Sequence, residues 1–113
     1  VMGRKRVPRK TTFEEQSESA IVKKIREALQ QNVGGFWFKV HGGPFQMAGL
    51  PDLLGCVQGR FIGVEVKRPS RMKDISPIQE RVIHKITLNG GFAIVACDPD
   101  TAVEEVTRFL STP

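Results

Sequence analysis

No apolar run in this sequence approaches the roughly 18 residues that a membrane-spanning helix needs, so no membrane partner is expected. The N-terminus is basic, but no apolar segment follows it as in a secretory signal, and a cytoplasmic setting is expected. Only two cysteines are present. Cys56 and Cys97 are far apart and lack metal-type spacing, so neither a disulfide scaffold nor a thiolate metal site is indicated. Each lies at the edge of an apolar run and is expected to be a buried free thiol. There is no internal repeat. What remains is a chain of 113 residues, 40% hydrophobic and 26% charged, enough for one domain with a real core and too short for two.

Net charge is also lacking over most of the chain. The total is +5, but residues 1–10 hold Arg4, Lys5, Arg6, Arg9 and Lys10 and no acid. Setting these five aside leaves 12 of the 17 basic residues against 12 acidic ones, so residues 11–113 are formally neutral. The excess is a tail, residues 1–11, with no apolar pattern. It reads either as an electrostatic arm for nucleic-acid phosphates or as a solvated terminus.

The remaining residues, 12–113, carry the pattern of a single α/β domain. Thr12 with Glu15, and Thr11 with Glu14, have capping-box spacing, and Ala20, Ile21, Ile25, Ala28 and Leu29 follow at a helical period. A helix is predicted from about residue 13 to 32, stopped by Gly34 and Gly35. Strands are predicted over 36–40, 52–57 and 61–67, with Gln58, Gly59 and Arg60 as a hairpin connection. Ser76-Pro77 starts a second helix, residues 92–96 form a fourth strand, and a last helix follows Asp98-Pro99-Asp100. The first three strands suit an antiparallel meander. The fourth, after a crossover helix, should lie parallel to its neighbour, giving a small mixed sheet flanked by helices.

The hairpin carries charges that a plain core strand would not. Alternation puts Phe61, Gly63, Glu65 and Lys67 on one face and Ile62, Val64 and Val66 on the core face. Gly63 is expected to leave open space beside the charges. Antiparallel pairing brings Asp52, at the start of the partner strand, near Glu65 or Lys67. Two carboxylates that close repel unless a proton or cation lies between them. A hard divalent cation such as Mg²⁺ suits them, and a lysine beside it could steady charge on a phosphate. The plainer reading is a surface Glu65–Lys67 ion pair with Asp52 merely opening a strand.

Pro51-Asp52 and Glu65-Val66-Lys67 together resemble the Pro-Asp…(Asp/Glu)-x-Lys nuclease superfamily. More narrowly, G-L-P-D-L-L-G followed by G-R-F-I-G-V-E-V-K-R-P is similar to the VRR-Nuc family in its standalone phage or bacterial form. The resemblance covers the chain from about residue 13 and implies a restriction-endonuclease-like core in the order αβββαβ. It implies that Asp52, Glu65 and the Val66 carbonyl bind Mg²⁺ or Mn²⁺, and that Lys67 is the catalytic lysine. An acidic residue of the first helix supports the metal in that family. Glu18 matches it best, with Glu14 and Glu15 as alternatives, and any of the three also fits a solvated helix charge. A family glutamine matches Gln79, although Ser76-x-x-Gln79 is itself a capping box. One rotamer is not expected to fill both roles.

Lys39 and His41, at the exit of the first strand, and Arg68, Arg71 and Lys73, after the lysine strand, are candidate DNA contacts or ordinary solvated residues. His84 lies mid-helix, and Trp37 reads as packing. The resemblance implies a homodimeric, metal-dependent endonuclease for branched DNA such as four-way junctions, leaving 5′-phosphate and 3′-hydroxyl ends. A dimer suits paired cuts, because one small domain offers one site. The alternatives are a nuclease for flaps, nicked duplex or a defined sequence, a non-catalytic nucleic-acid-binding module, or an interaction subunit whose basic tail meets acidic partners.

Overall fold

Ser17 accepts a hydrogen bond from the Ala20 amide on its Oγ at 3.2 Å and thereby caps the first helix, α1 (Glu18–Asn32). The computed structural model of the protein describes residues 16–113, so the basic tail and the Thr11 and Thr12 capping pairs lie outside the described residues. Among the described residues α1 begins at Glu18, five residues later than the periodicity predicts. Its stripe of Ile21, Val22, Ile25 and Leu29 is buried, as the spacing requires.

Three strands follow, β1 (Phe36–Lys39), β2 (Leu53–Val57) and β3 (Arg60–Val66). A single 3₁₀ turn at Pro69–Arg71 precedes α2 (Pro77–Leu88), then come β4 (Phe92–Ala96) and α3 (Pro99–Leu110). The sheet order is β1-β2-β3-β4. β1, β2 and β3 form an antiparallel meander, and β4 pairs parallel to β3 after the α2 crossover. This small mixed α/β arrangement is the one the sequence pattern predicts. No described helix is long and apolar enough to cross a membrane.

Val57 pairs with Arg60, so the hairpin turn has only two residues, Gln58 at φ 52° and Gly59 at φ 79°. Both sit in the left-handed region that a tight hairpin of this hand demands. Arg60, expected in the turn, instead opens β3. Its guanidinium lies 4.0 Å over the Phe109 ring and donates to the carbonyls of Phe109 (3.2 Å) and Thr112 (2.7 Å). These contacts tie the hairpin to the end of α3. At the other end of α3, Asp98 accepts from the Thr101 amide at 2.7 Å, and that bond holds its carboxyl below the usual range.

The core lies between one sheet face and helices α1 and α3. Trp37, Leu53, Val57, Ile62, Val64 and Val66 meet Ile21, Ile25, Leu29, Ala102 and Val106 there. On the opposite face α2 covers the β3–β4 half. On that same face Phe36 and Phe38 of β1 and Phe61 of β3 stay exposed, and Phe36, Cys56 and Phe61 lie in one row. Cys56, within that row, is exposed rather than buried. Cys97 is half-buried, with its Sγ 3.6 Å from Asp98 Oδ2, and neither cysteine is in a disulfide.

Trp37 shows how tightly the core face is built. Its indole N–H donates to the Gly34 carbonyl at 2.8 Å, and its ring lies flush on Gly55. A Cβ at position 55 would come within 2.4 Å of that ring, closer than van der Waals contact allows. Gly55→Ala is expected to cost about 1–3 kcal/mol through overpacking. A urea titration followed by Trp37 fluorescence reads this directly, and an unchanged midpoint would refute the packing argument.

Candidate active site

The β2–β3 register decides what meets at the end of this hairpin. Leu53 pairs with Val64, so one step further places Asp52 opposite Glu65, and two steps place Pro51 opposite Val66. Proline has no N–H, so this ladder position offers the Val66 carbonyl no donor. The Val66 amide is also left without a strand acceptor and instead donates to Asp52 Oδ2 at 2.8 Å. Asp52 meanwhile uses its own carbonyl to accept from the Val40 amide at 2.8 Å. The Pro-Asp pair thus ends the ladder, fixes one carboxylate, and gives the Val66 carbonyl no N–H partner from Pro51.

Glu65 is 4% exposed, the single charged residue buried to that degree among those described. Its Oε2 accepts from Gln79 Nε2 at 2.9 Å and lies 3.4 Å from Lys67 Nζ. Burial, and then the neighbouring Asp52 charge, push the Glu65 carboxyl up to about 7, against the counter-pull of Lys67. Asp52 Oδ1 and Glu65 Oε1 accept no hydrogen bond from the described residues.

Gln79 corrects the expectation that one rotamer cannot serve two purposes. Its Oε1 accepts from the Ser76 amide at 3.0 Å, completing the capping box with Ser76 Oγ, while its Nε2 reaches Glu65. A primary amide has an acceptor at one end and donors at the other, so both roles fit. The start of α2 therefore braces the buried carboxylate.

Gly63 is also unlike the expectation. The space beside it is not open: a Cβ there would meet Pro51 Cγ at 2.9 Å, because the proline ring is packed onto the glycine. Gly63 seats Pro51, and through it Asp52.

Glu18, at the first position of α1, lines a cleft of about 130 Å³ together with Lys67, Arg68, Arg71 and Asp74. Its charge adds to the upward push on Glu65. Arg71 donates to Asp74 Oδ2 at 3.0 Å. Lys73 is exposed and does not line this cleft. His41 is exposed at the start of the β1–β2 loop, and His84 is exposed on α2. Lys39 pairs with Leu53 and shares the face of Trp37, the side away from Asp52 and Glu65. Glu14, Glu15 and the tail residues Arg4, Lys5, Arg6, Arg9 and Lys10 lie outside the described residues. Asp74 was not singled out from sequence; its spacing three residues after Arg71 was the available signal.

Among the described residues no three His, Cys, Asp or Glu side chains converge as a ready-made metal site. The candidate oxygen donors that the hairpin register brings to one end are two carboxylates, of Asp52 and Glu65, and the Val66 carbonyl. That set suits a hard cation that keeps several waters, and it does not suit zinc.

The Glu65 carboxyl has a consequence for folding. A carboxyl whose pKa is higher folded than unfolded holds its proton more tightly in the native state. Its contribution is full below pH 4.5 and is lost as pH rises through about 7. Without divalent cations, stability is expected to fall across this window by at most about 3 kcal/mol. Glu65→Gln should flatten the fall, and Mg²⁺ should restore stability more at pH 8 than at pH 5. Urea midpoints across pH test both; a profile identical in Glu65→Gln would refute the assignment.

No protein-family model and no curated protein sequence matches the chain, so the reading of this cleft rests on its residues and their geometry.

Proposed function

We propose that this chain is a metal-dependent DNA endonuclease of the VRR-Nuc type within the Pro-Asp…(Asp/Glu)-x-Lys superfamily, with a restriction-endonuclease-like core. The observation that carries the reading is the meeting of Asp52, buried Glu65 and Lys67 at one end of the β2–β3 hairpin, with Lys67 Nζ 3.4 Å from Glu65 Oε2. A surface ion pair does not account for a carboxylate so deeply buried and so strongly shifted. An interaction subunit has no use for it, and a non-catalytic module that merely bound phosphate would be hindered by two carboxylates beside the cations.

Asp52, Glu65 and the Val66 carbonyl would hold Mg²⁺ or Mn²⁺, with Glu18 at the edge of the site. When bound, such an ion polarises a phosphoryl oxygen and makes a water easier to deprotonate. The chain's own part is positioning. The Val66 amide fixes Asp52, and Gln79 fixes Glu65 from one oxygen so that the other stays available. Lys67, half-buried beside Glu65, presents an ammonium to the charge that builds on the phosphate during in-line attack. Arg68 lines the same cleft and Arg71 stands at its rim, both placed to meet flanking phosphates. Branched DNA such as a four-way junction is the substrate this reading favours, and a homodimer would supply the second symmetric cut.

End-labelled four-way junction, flap and linear duplex incubated with Mg²⁺, Mn²⁺ or EDTA test this. Cutting is expected with either metal and not with EDTA. Lys67→Ala and Asp52→Asn should each lower the rate by about 100-fold or more, with DNA binding retained by Lys67→Ala. DNA binding without cutting under any metal would overturn the enzyme reading.

A further inference from the structure

The β1–β2 loop, residues 40–52, is a braced projection rather than a slack connector. Its neck is closed by the Val40–Asp52 backbone bond. Its tip is a turn in which the Gln46 amide donates to the Gly43 carbonyl at 3.1 Å, and Gln46 Nε2 donates to the His41 carbonyl at 2.9 Å. Its returning arm is pinned at Gly49, where φ is +83° and a Cβ would meet the Ile78 carbonyl of α2 at 2.7 Å. The loop walls a cavity of about 290 Å³, and Asp52 is part of that wall. The projection is therefore continuous with the candidate active site.

At the apex of the turn, after Pro44, stands Phe45, and it is 100% exposed. Met47, 58% exposed, stands two residues on. A phenyl ring left wholly in water forgoes its usual burial free energy, and nothing among the described residues covers it. A ring at the tip of a braced loop, one arm of which ends in a candidate metal carboxylate, has the placement of a stacking or wedge residue.

We propose that Phe45 stacks on a base whose normal neighbour is missing, at a branch point or other break in duplex stacking, while the phosphodiester lies at Asp52 and Glu65. This inference rests on the nuclease reading and adds the device that selects substrate structure. An intact duplex offers Phe45 no free base face, since every base is already stacked. A branched duplex does, and there the ring replaces a lost stacking contact. Phe45 thus acts in structural discrimination and not in the chemical step.

Binding is measured in Mg²⁺ with Lys67→Ala protein, to keep the DNA uncut, against a labelled four-way junction and a linear duplex of the same sequence. Adding Phe45→Ala should weaken junction binding about 10-fold and linear binding less than about twofold. Phe45→Trp should return junction binding to within about twofold. An equal loss on both DNAs, no loss on either, or failure of tryptophan to restore binding would overturn the proposal. Cutting by the wild-type chain is followed in parallel. If it cuts junctions while Phe45→Ala changes neither binding nor preference, the nuclease reading stands and this inference falls. If wild-type protein neither binds nor cuts either DNA in Mg²⁺ or Mn²⁺, both fall.

Discussion

Much of the site follows from one missing hydrogen-bond donor. Where the β2–β3 ladder would continue, Pro51 faces Val66 and brings no N–H. The ladder stops there, Asp52 takes over the Val66 amide through its side chain, and the Val66 carbonyl receives no N–H from Pro51. Buried backbone groups are nearly always paired, so a sheet that ends this way needs a reason. The proposed cation site would supply one, because it would use the carbonyl that strand pairing leaves over. Gly63 completes the arrangement, since only a residue without a side chain lets the Pro51 ring settle where it does.

The second constraint is the burial of Glu65. A carboxylate at 4% exposure needs partners, and it has Gln79 and Lys67 on one oxygen. These do not offset the desolvation and the Asp52 charge, as its upward shift shows. The fold therefore carries an unresolved electrostatic tension that either a proton or a cation relieves. Sites that concentrate such tension are more often functional than structural, since a core gains more from an apolar residue of similar volume. Gln79 also links this tension to secondary structure. The same amide that caps α2 holds Glu65, so the helix start and the carboxylate are positioned together.

Legibility in the sequence followed from how local each signal was. The element order and sheet directions were readable because hydrophobic period, glycine pairs and Ser-Pro or Asp-Pro starts are local features. Placing Asp52 near Glu65 and Lys67 was also readable, because hairpin pairing is arithmetic once the turn is found. The neighbours of Gly63 and Cys56 were not readable. Gly63 meets the Pro51 ring and Cys56 lies in an exposed row, tertiary matters that periodicity does not encode. The double use of Gln79 was obscured by treating its amide as one group with one partner. Lys39 is a different case: its closeness in sequence to the loop suggested the site, although strand alternation, a local feature, sends it to the other face.

The division of labour between sheet and loop is the remaining step. The proposed chemical residues Asp52, Glu65 and Lys67 sit on or at the ends of paired strands, where backbone hydrogen bonds hold them to a narrow geometry. The exposed residues that could read a substrate's shape, Phe45 above all, sit on a loop that is braced at its neck and tip but carries little packing of its own. Chemistry of charge needs fixed distances, and recognition tolerates adjustment. The loop leading into Asp52 joins such an exposed surface directly to the charged end of the hairpin. That position makes the orientation of Asp52 and the exposure of Phe45 depend on the same short stretch of backbone, between Val40 and Asp52.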